Sequence, residues 1–525
     1  MDRSLDERGQ PGARSAHTSA KPFRAGARRR IRRPDISALR AAGASYSDEV
    51  SESPETSPEP AGALHTESHD PAVPEKYAAF MRTGWGESRL DLPTHPVAEW
   101  AAARRARLAE TFPGERLVIP AGTFKVRAND TDYRFRPDTA HTYLCGNQTS
   151  DAVLVVEDGE ATLYARPRSG RETDEFFRDR QYGELWVGRR PSLEEISSAL
   201  GIATRHVDQL PDALARSAKT RVLRGVDRTV DQAVAPDEGR DRELARVLSE
   251  LRLVKDAWEV DELARACDVT ALGFEDSVRE WDRVLEHGER WIEGTFFRRA
   301  RAMGNDIGYD SIVAGGPHAT TLHWIDNTGP ITPGELVLLD MGVEASTLYT
   351  ADVTRTLPVD GRFTPLQRDL YSAVLEAQQA GIDAVRPGAK FRDPHHAAMN
   401  VLAHKLEDLG LLPCSAEEAL APDSKVYSRW TLHGTSHMLG MDVHDCAAAA
   451  PDVYPEGELA EGMVLTVEPG LYFQQDDLLV PEELRGIGIR IEDDVVVTSD
   501  GARNLSGSLP RDPDAIEEWM GALRR

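Results

Sequence analysis

The segment 336-LVLLDMGVEASTLYTADVTRTLPV-359 joins two apolar runs through a short connection and places one aspartate with each run. Asp340 closes the first run, and Asp352 lies in the second. If the runs form a β-hairpin, the two carboxylates can approach each other across adjacent strands. Acidic groups beside apolar strands are costly to bury unless a positive group meets them. The segment alone leaves a second interpretation open, in which each aspartate caps a strand end or pairs with Arg355.

A second segment, 433-HGTSHMLGMDVHD-445, concentrates histidine in a glycine-punctuated stretch. A lone histidine is more often an ordinary surface or core residue than a ligand. Three histidines this close together, His433, His437 and His444, favour a functional site, because neutral imidazole is a ligand suited to transition metals.

Two glutamates lie in or next to predicted β-strands near the C-terminus. Glu468 ends the run MVLTV directly before Pro469, and Glu492 lies in GIGIRIEDDVVV. In that second run the period of two places Arg490 and Glu492 on one face, with isoleucines on the other. We expect this charged face to line a buried polar site. For Asp493 and Asp494 we favour a solvated sheet face.

Together these segments supply four carboxylates and one imidazole from the histidine cluster; the carboxylates are those of Asp340, Asp352, Glu468 and Glu492. Such an oxygen-rich set favours manganese, allows cobalt, iron or zinc, and disfavours a closed thiolate zinc site. It carries enough negative charge for two divalent ions, which in two-metal hydrolases lie about 3.5 to 4 Å apart and activate a water molecule. The sequence therefore predicts a two-metal hydrolytic site.

Composition excludes several classes of function. The net charge of -26 disfavours nucleic acid as a partner, because that affinity rests on Lys and Arg that neutralise phosphates. We find no apolar run long enough to span a bilayer and no apolar stretch of the export-signal type after the basic run near Arg28. The four cysteines are scattered, which predicts reduced thiols and a cytoplasmic location.

Changes in composition and in apolar pattern along the chain predict three parts and an α/β (α+β) fold. Residues 1–74 are poor in large apolar side chains, and we expect a disordered extension. Residues 75–235 alternate short strands and helices, with a turn at Asp158 and Gly159, and predict a smaller α/β domain. One long helical segment, from about Leu248 to Leu263, should link it to a catalytic domain at 246–525. In that domain we expect helices at 364–386 and 394–409.

The order Asp, Asp, His, Glu, Glu resembles the pita-bread metallopeptidases, the family of methionine aminopeptidase, aminopeptidase P, prolidase and creatinase. The strings YDSIVAGGPHATTLHW, ADVTRT, HGTSHMLGMDVHD, VEPGLY and GIRIEDD are similar to the aminopeptidase P branch in particular. The N-terminal segment YLCGNQTSDAVLVV resembles the non-catalytic domain of that branch, although Cys145 stands where another residue is expected. The resemblance implies a pita-bread catalytic domain preceded by a creatinase-like domain.

Carried over to this sequence, the resemblance implies that Asp352 and Glu492 bridge two metal ions. Asp340 would complete one metal, and His437 and Glu468 the other. Glu468 would also accept the proton of the attacking water. Further residues would surround the ligands. His323, His433 and His444 would orient the substrate. Arg490, together with Tyr472, would form a relay of contacts to Asp340.

The implied reaction is release of the N-terminal residue from peptides with proline in the second position, by a homodimer or homotetramer. An Xaa-Pro bond is a tertiary amide of restricted geometry, so a dedicated pocket is chemically sensible. Two alternatives stay open: a prolidase that cleaves only Xaa-Pro dipeptides, and a non-catalytic pita-bread module that binds peptides.

Overall fold

The computed structural model describes residues 64–66, 70 and 72–525. The predicted disordered extension, residues 1–74, lies mostly outside the described residues. Where the described chain begins, it contacts the folded part that follows: the backbone N–H of His65 donates to the carboxylate of Asp179 at 3.0 Å.

The N-terminal part is built around a mixed five-stranded sheet with the order β6-β5-β4-β1-β7. Strands β1, β4 and β5 are antiparallel, and the edge strands β6 and β7 pair in parallel with β5 and β1. The predicted turn is confirmed, since Asp158 and Gly159 join β4 to β5 with positive φ values of 52° and 82°. The strands of this part are β1 (Arg116–Pro120), β2 (Val126–Ala128), β3 (Thr131–Asp132), β4 (Val153–Glu157), β5 (Glu160–Ala165), β6 (Ala203–His206) and β7 (Thr220–Val222). The helices are α1 (Glu75–Met81), α2 (Ala98–Thr111), α3 (Thr139–Cys145), α4 (Glu175–Arg178), α5 (Glu184–Val187), α6 (Leu193–Leu200), α7 (Leu210–Ala215) and α8 (Arg228–Ala233).

The connection to the catalytic part is not one long helix, so that prediction is wrong. Helix α9 (Glu238–Leu251) ends, and α10 (Ala257–Arg279) begins after five non-helical residues. Asp256 starts the second helix with a capping box, in which its side chain accepts the N–H of Glu259 and the Glu259 carboxylate accepts the N–H of Asp256, both at 3.0 Å. A capping box stabilises a new helix start, and apolar spacing alone does not reveal it.

The C-terminal part combines small antiparallel sheets with helices packed outside them. Its sheets have the orders β12-β10-β9, β11-β8, β13-β16-β17 and β14-β15. The strands are β8 (Asp306–Ile307), β9 (Ile312–Gly315), β10 (Leu336–Asp340), β11 (Val343–Glu344), β12 (Thr354–Pro358), β13 (Val464–Val467), β14 (Gly470–Phe473), β15 (Ile487–Arg490), β16 (Asp493–Val497) and β17 (Ala502–Asn504). The helices are α11 (Trp281–His287), α12 (Glu289–Met303), α13 (Pro365–Ala384), α14 (Asp393–Asp408), α15 (Ala416–Leu420) and α16 (Pro513–Leu523). The two predicted helices correspond to α13 and α14.

The hairpin prediction holds for strand pairing but not for the position of Asp352. Strands β10 and β12 are antiparallel, and Asp340 lies opposite Thr354 rather than opposite the second aspartate. Asp352 precedes β12 in non-strand backbone, and the short β11 occupies part of the connection. Gly342 permits this crossing, because a Cβ there would lie 1.7 Å from the carbonyl oxygen of Ala351.

The expectation of a solvated face for Asp493 and Asp494 is wrong, since both are fully buried. The guanidinium of Arg355 donates to Asp493 at 2.7 Å. Asp494 accepts the backbone N–H of Asp352 at 3.0 Å. Strand β15 ends before these residues, so the period of two does not carry across to β16. Arg355 is thus committed to Asp493, which rules out the alternative that it pairs with the hairpin aspartates.

Candidate metal centre

A cavity of about 510 Å³ opens where the sheets of the C-terminal part meet. Apart from Tyr472, every site residue predicted from the sequence lines it: His323, Asp340, Asp352, His433, His437, His444, Glu468, Arg490 and Glu492. Residues up to 169 positions apart, from His323 to Glu492, therefore meet in one place. The lining also includes the apolar side chains of Ile312, Leu322 and Val443.

Tyr309 holds the two aspartates of the hairpin together. Its hydroxyl lies 2.7 Å from Oδ1 of Asp340 and 2.5 Å from Oδ1 of Asp352. Burial, joined by the charges of both aspartates, raises the pKa of Tyr309 well above its ordinary value, so the hydroxyl keeps its proton and donates. This tyrosine, which begins the string YDSIV, was not among the site residues predicted from the sequence.

The segment that carries His437 runs beside β13. The N–H of Thr466 donates to the carbonyl of His437 at 3.0 Å, and the N–H of Glu468 donates to the carbonyl of Thr435 at 2.8 Å. These backbone contacts place the imidazole next to the carboxylate at the end of β13. Nε2 of His437 lies 3.7 Å from Oε1 of Glu468 and 3.3 Å from Oδ2 of Asp352.

Glu492 enters the site from the link between β15 and β16. The hydroxyl of Thr354 donates to its Oε2 at 2.7 Å, and its backbone N–H donates to the carbonyl of Thr354 at 3.1 Å. Among the described residues, the metal-type ligand atoms of Asp352, His437 and Glu492 all lie within 4.8 Å of one another. Thr354 is a second residue that the sequence analysis missed, and a threonine inside a strand offers no distinctive signal.

A chain of hydrogen bonds runs from Asp340 to His433. Arg490 donates to Oδ2 of Asp340 at 2.6 Å and to the hydroxyl of Tyr472 at 3.0 Å. The Tyr472 hydroxyl lies 2.7 Å from Nε2 of His433 and is free to donate to it. Nδ1 of that ring lies 2.8 Å from the carbonyl of Gly434, to which it donates as N–H. Burial and the charge of Arg490 lower the pKa of His433 to about 3, so the ring is neutral.

The carboxylates repel one another. Burial and the charges of Asp352 and Glu468 raise the pKa of Glu492 well above its ordinary range. Burial together with neighbouring carboxylates raises the pKa of Glu468 to about 7. Burial also raises the pKa of Asp340, although the charge of Arg490 opposes it. For Asp352 burial is outweighed by hydrogen bonds from His437 and Tyr309, which hold its pKa below the ordinary value.

This electrostatic arrangement fits divalent cations. Three buried carboxylates and the partly exposed one of Glu468 face the cation Arg490. His437 adds positive charge when protonated, and the neighbouring Asp352 and Glu468 raise its pKa to about 9 against the effect of burial. Buried charge in such excess is stable only when further positive charge is added or protons are taken up. Carboxylate oxygens with one imidazole are ligands that divalent ions such as manganese, iron, cobalt and zinc accept.

His323 and His444 complete the cavity from its open side. Both histidines are exposed, and the ring of His444 packs against that of His437 with centroids 4.3 Å apart. Burial and the charge of His437 lower the pKa of His444. Both rings are placed to contact a ligand, and neither contacts Arg490.

Comparisons with known proteins find similar metallopeptidases. A family model for metallopeptidase family M24 matches residues 261–499, and one for the aminopeptidase P N-terminal domain matches residues 101–223. Xaa-Pro aminopeptidase 1 of Streptomyces coelicolor is 54% identical over 483 residues, which cover 90% of this chain and 98% of that protein.

Solved structures are similar over most of the chain. Pseudomonas aeruginosa aminopeptidase PepP superimposes with a TM-score of 0.72 and 30% identity, covering 82% of this chain and 99% of that one. Aminopeptidase P of E. coli, solved with the inhibitor Pro-Leu, gives a TM-score of 0.72 and 29% identity, covering 82% and 100%. None of the helices in the described part of the chain is long and apolar enough to cross a membrane.

Proposed function

The chain belongs to the Xaa-Pro aminopeptidases of metallopeptidase family M24, and we propose from this premise how its residues perform the reaction. The fold is α/β with a pita-bread catalytic domain behind a smaller aminopeptidase P-type domain. The enzyme is a metallo-exopeptidase that releases the first residue of peptides with proline in the second position. The observation that carries the mechanism is the convergence of the four predicted carboxylates and four histidines on one cavity.

We propose that Asp340, Asp352, His437, Glu468 and Glu492 would hold two divalent ions, and that Asp352 and Glu492 would serve as ligands to both. The raised pKa of Glu492, caused by burial and by the charges of Asp352 and Glu468, supports its shared position, because added positive charge relieves that repulsion. When bound, the ions polarise the scissile carbonyl and lower the pKa of the attacking water.

The protein's own groups then move protons and hold the substrate. Glu468, whose pKa lies near 7, accepts the proton of the attacking water and returns it to the departing proline nitrogen. Nδ1 of His433 lies 3.5 Å from Oε2 of Glu468, and because the ring stays neutral it adds no charge beside that carboxylate. We assign His323 and His444 to substrate orientation and stabilisation of the tetrahedral intermediate.

Arg490 and Tyr472 keep this constellation in register. The guanidinium fixes one oxygen of Asp340, and the phenol transmits that position to the ring of His433. Groups that orient metal ligands typically change metal affinity or activity by about 10- to 100-fold when they are removed.

The finer assignments are also proposals. Manganese is the preferred ion because hard carboxylate oxygens dominate the ligand set, with cobalt, iron and zinc as alternatives. Scattered, unpaired cysteines support a cytoplasmic location. We further propose that the enzyme is a homodimer or homotetramer and that it binds neither membrane nor nucleic acid. We keep 75–235 and 246–525 as the two domains.

Hydrolysis of an Xaa-Pro-Xaa tripeptide panel with manganese, cobalt or zinc tests the function. We expect release of the first residue and its loss in Asp352→Ala, together with loss of bound metal. Asp476→Ala, an exposed aspartate outside the cavity, is the matched control. Cleavage of Xaa-Pro dipeptides alone would favour a prolidase, and metal binding without any cleavage would favour a peptide-binding module.

A further inference from the structure

Arg136 belongs to the N-terminal part of the chain, between β3 and α3, yet its guanidinium reaches the catalytic part. Nε donates to Oε2 of Glu344 at 2.6 Å, and Nη2 donates to the carbonyl of Met441 at 2.8 Å. Nη2 also lies 3.2 Å from the carboxylate of Asp442. One side chain thus joins two separate segments of the catalytic domain.

Both segments lead into the metal centre. Glu344 ends β11, between Asp340 and Asp352, and its other oxygen accepts from the side chain of Asn305 at 2.6 Å. Met441 and Asp442 lie in the loop between His437 and His444. Arg136 therefore ties the connection between the two aspartates to the loop between the two histidines.

Two residues of the N-terminal part, Thr139 and Arg136, hold this loop at Asp442. The hydroxyl of Thr139 donates to Asp442 at 2.6 Å, and Nη1 of Arg136 donates to Thr139 at 3.2 Å. After Asp442, the chain continues through Val443, which lines the cavity, to His444. A shift of the loop at Met441 would move this cavity wall directly.

We propose that Arg136 is a positioning residue for the peptidase reaction, through which the N-terminal domain holds His444 against the hairpin that carries Asp340 and Asp352. The inference rests on the proposed function. It gives the N-terminal domain a role in its own chain's active site, although it contributes no residue to the cavity wall.

The chemistry of this contact requires arginine. A planar guanidinium presents donors in several fixed directions, and here they serve a carboxylate, a backbone carbonyl and a hydroxyl at once. Lysine supplies the charge from a single nitrogen and cannot span these acceptors. Arg136→Lys should therefore keep the ion pair with Glu344 and lose the hold on the loop.

The experiment compares steady-state kinetics of the full-length, manganese-loaded enzyme on an Xaa-Pro-Xaa peptide. Arg136→Ala should lower kcat/KM by about 10- to 100-fold, as displacements near 1 Å do in active sites, with most of the loss in kcat. Metal content should stay unchanged. Arg134→Ala is the matched control, because Arg134 crosses the same domain boundary to Asp306 at 3.2 Å without touching the loop. It should retain kcat/KM within about twofold, as expected for a half-exposed ion pair.

A double variant separates positioning from general stabilisation. If Arg136 acts through His444, Arg136→Ala should cost little more once His444→Ala is present. Additive losses would overturn the proposal, because they mean that the two residues act independently. A loss in Arg136→Ala that equals that of Arg134→Ala, or that follows a loss of bound metal, would overturn it too.

Two gentler variants keep the test decisive if Arg136→Ala does not fold. Arg136→Lys and Asp442→Asn should each lower kcat/KM by about fivefold or more, the equivalent of one ordinary hydrogen bond. Unchanged kinetics in both would overturn the inference. A wild-type enzyme that cleaves no Xaa-Pro-Xaa peptide would instead refute the proposed function, whereas an active wild type with an unaffected Arg136 variant refutes this inference alone.

Discussion

Glu492→Gln should stabilise the metal-free protein and destabilise the metal-loaded one. Glu492 is 1% exposed and is surrounded by Asp352, Glu468 and Asp340. Glutamine keeps the size of the side chain and an acceptor for the Thr354 hydroxyl at 2.7 Å, but it removes one negative charge from the group. The same change removes a carboxylate that we assign to both metal ions.

The magnitude without metal follows from proton linkage. Because the pKa of Glu492 is raised in the folded state, folding takes up a proton, and stability falls as pH rises above the unfolded value of about 4.3. Each pH unit costs about 1.4 kcal/mol, which limits the loss at pH 7 to about 3.7 kcal/mol. Relaxation of the neighbouring carboxylates reduces this, so Glu492→Gln should gain about 1 to 3 kcal/mol at pH 7 and almost nothing near pH 4.

The magnitude with metal follows from ligand linkage. A site saturated at about 1,000 times its dissociation constant stabilises the folded state by about 4.1 kcal/mol. Glu492→Gln should lose most of this increment because the amide is a weaker ligand than the carboxylate. The sign of the stability change therefore reverses between the two conditions.

Urea unfolding of chelator-treated protein from pH 4.5 to 8, repeated with a fixed excess of free manganese, measures both effects. The adjacent Asp493→Asn is the matched control. Asp493 is equally buried but paired with Arg355 at 2.7 Å, so its loss should cost about 3 kcal/mol without metal and leave the metal increment intact. A metal-free Glu492→Gln protein that is less stable than wild type at pH 7, or one that keeps the full metal increment, would refute the reasoning.

Three further variants test the surroundings of the site. Asp445→Asn should lower the free energy of unfolding by about 3 kcal/mol at neutral pH, because Arg252 and Lys255 hold the pKa of Asp445 low against the effect of burial. In urea unfolding, the difference from wild type should vanish as pH falls through that low pKa. A difference that stays constant with pH would contradict this prediction. Tyr309→Phe should weaken metal binding by about 10-fold or more in calorimetric titration, since no hydroxyl then bridges the two aspartates. Tyr472→Phe should lower kcat by about 10-fold at unchanged metal content, and unaltered kinetics would remove this phenol from the mechanism.

Much of the site could be predicted because its chemistry is written in short segments. Asp340 and Glu468 each end or directly follow an apolar strand, and buried strands that finish in carboxylates are costly without a cation. The histidines in residues 433–444 stand out because three imidazoles lie close together in sequence. These local patterns required no knowledge of which strands pair.

The remainder depends on partners that are distant in sequence. The prediction that Asp493 and Asp494 are solvated assumed that side chains alternate between sheet faces beyond the end of β15. Their burial depends instead on Arg355 and on the N–H of Asp352. Tyr309 was missed because a tyrosine near a strand is ordinary until two carboxylates meet its hydroxyl. No short-range pattern contains that information.

The domain division shows the same limit on a larger scale. Change of composition separates an N-terminal from a catalytic part, yet one apolar cluster contains Leu108 and Leu117 of the first together with Tyr349 and Leu439 of the second. An apolar helix face looks the same whichever domain covers it, so periodicity cannot reveal a shared core. Tyr349 precedes Asp352 closely, and Leu439 follows His437 closely. The segments that carry metal ligands are therefore packed against the N-terminal part as well as against each other, which is why a residue such as Arg136 can govern a site to which its own domain supplies no ligand.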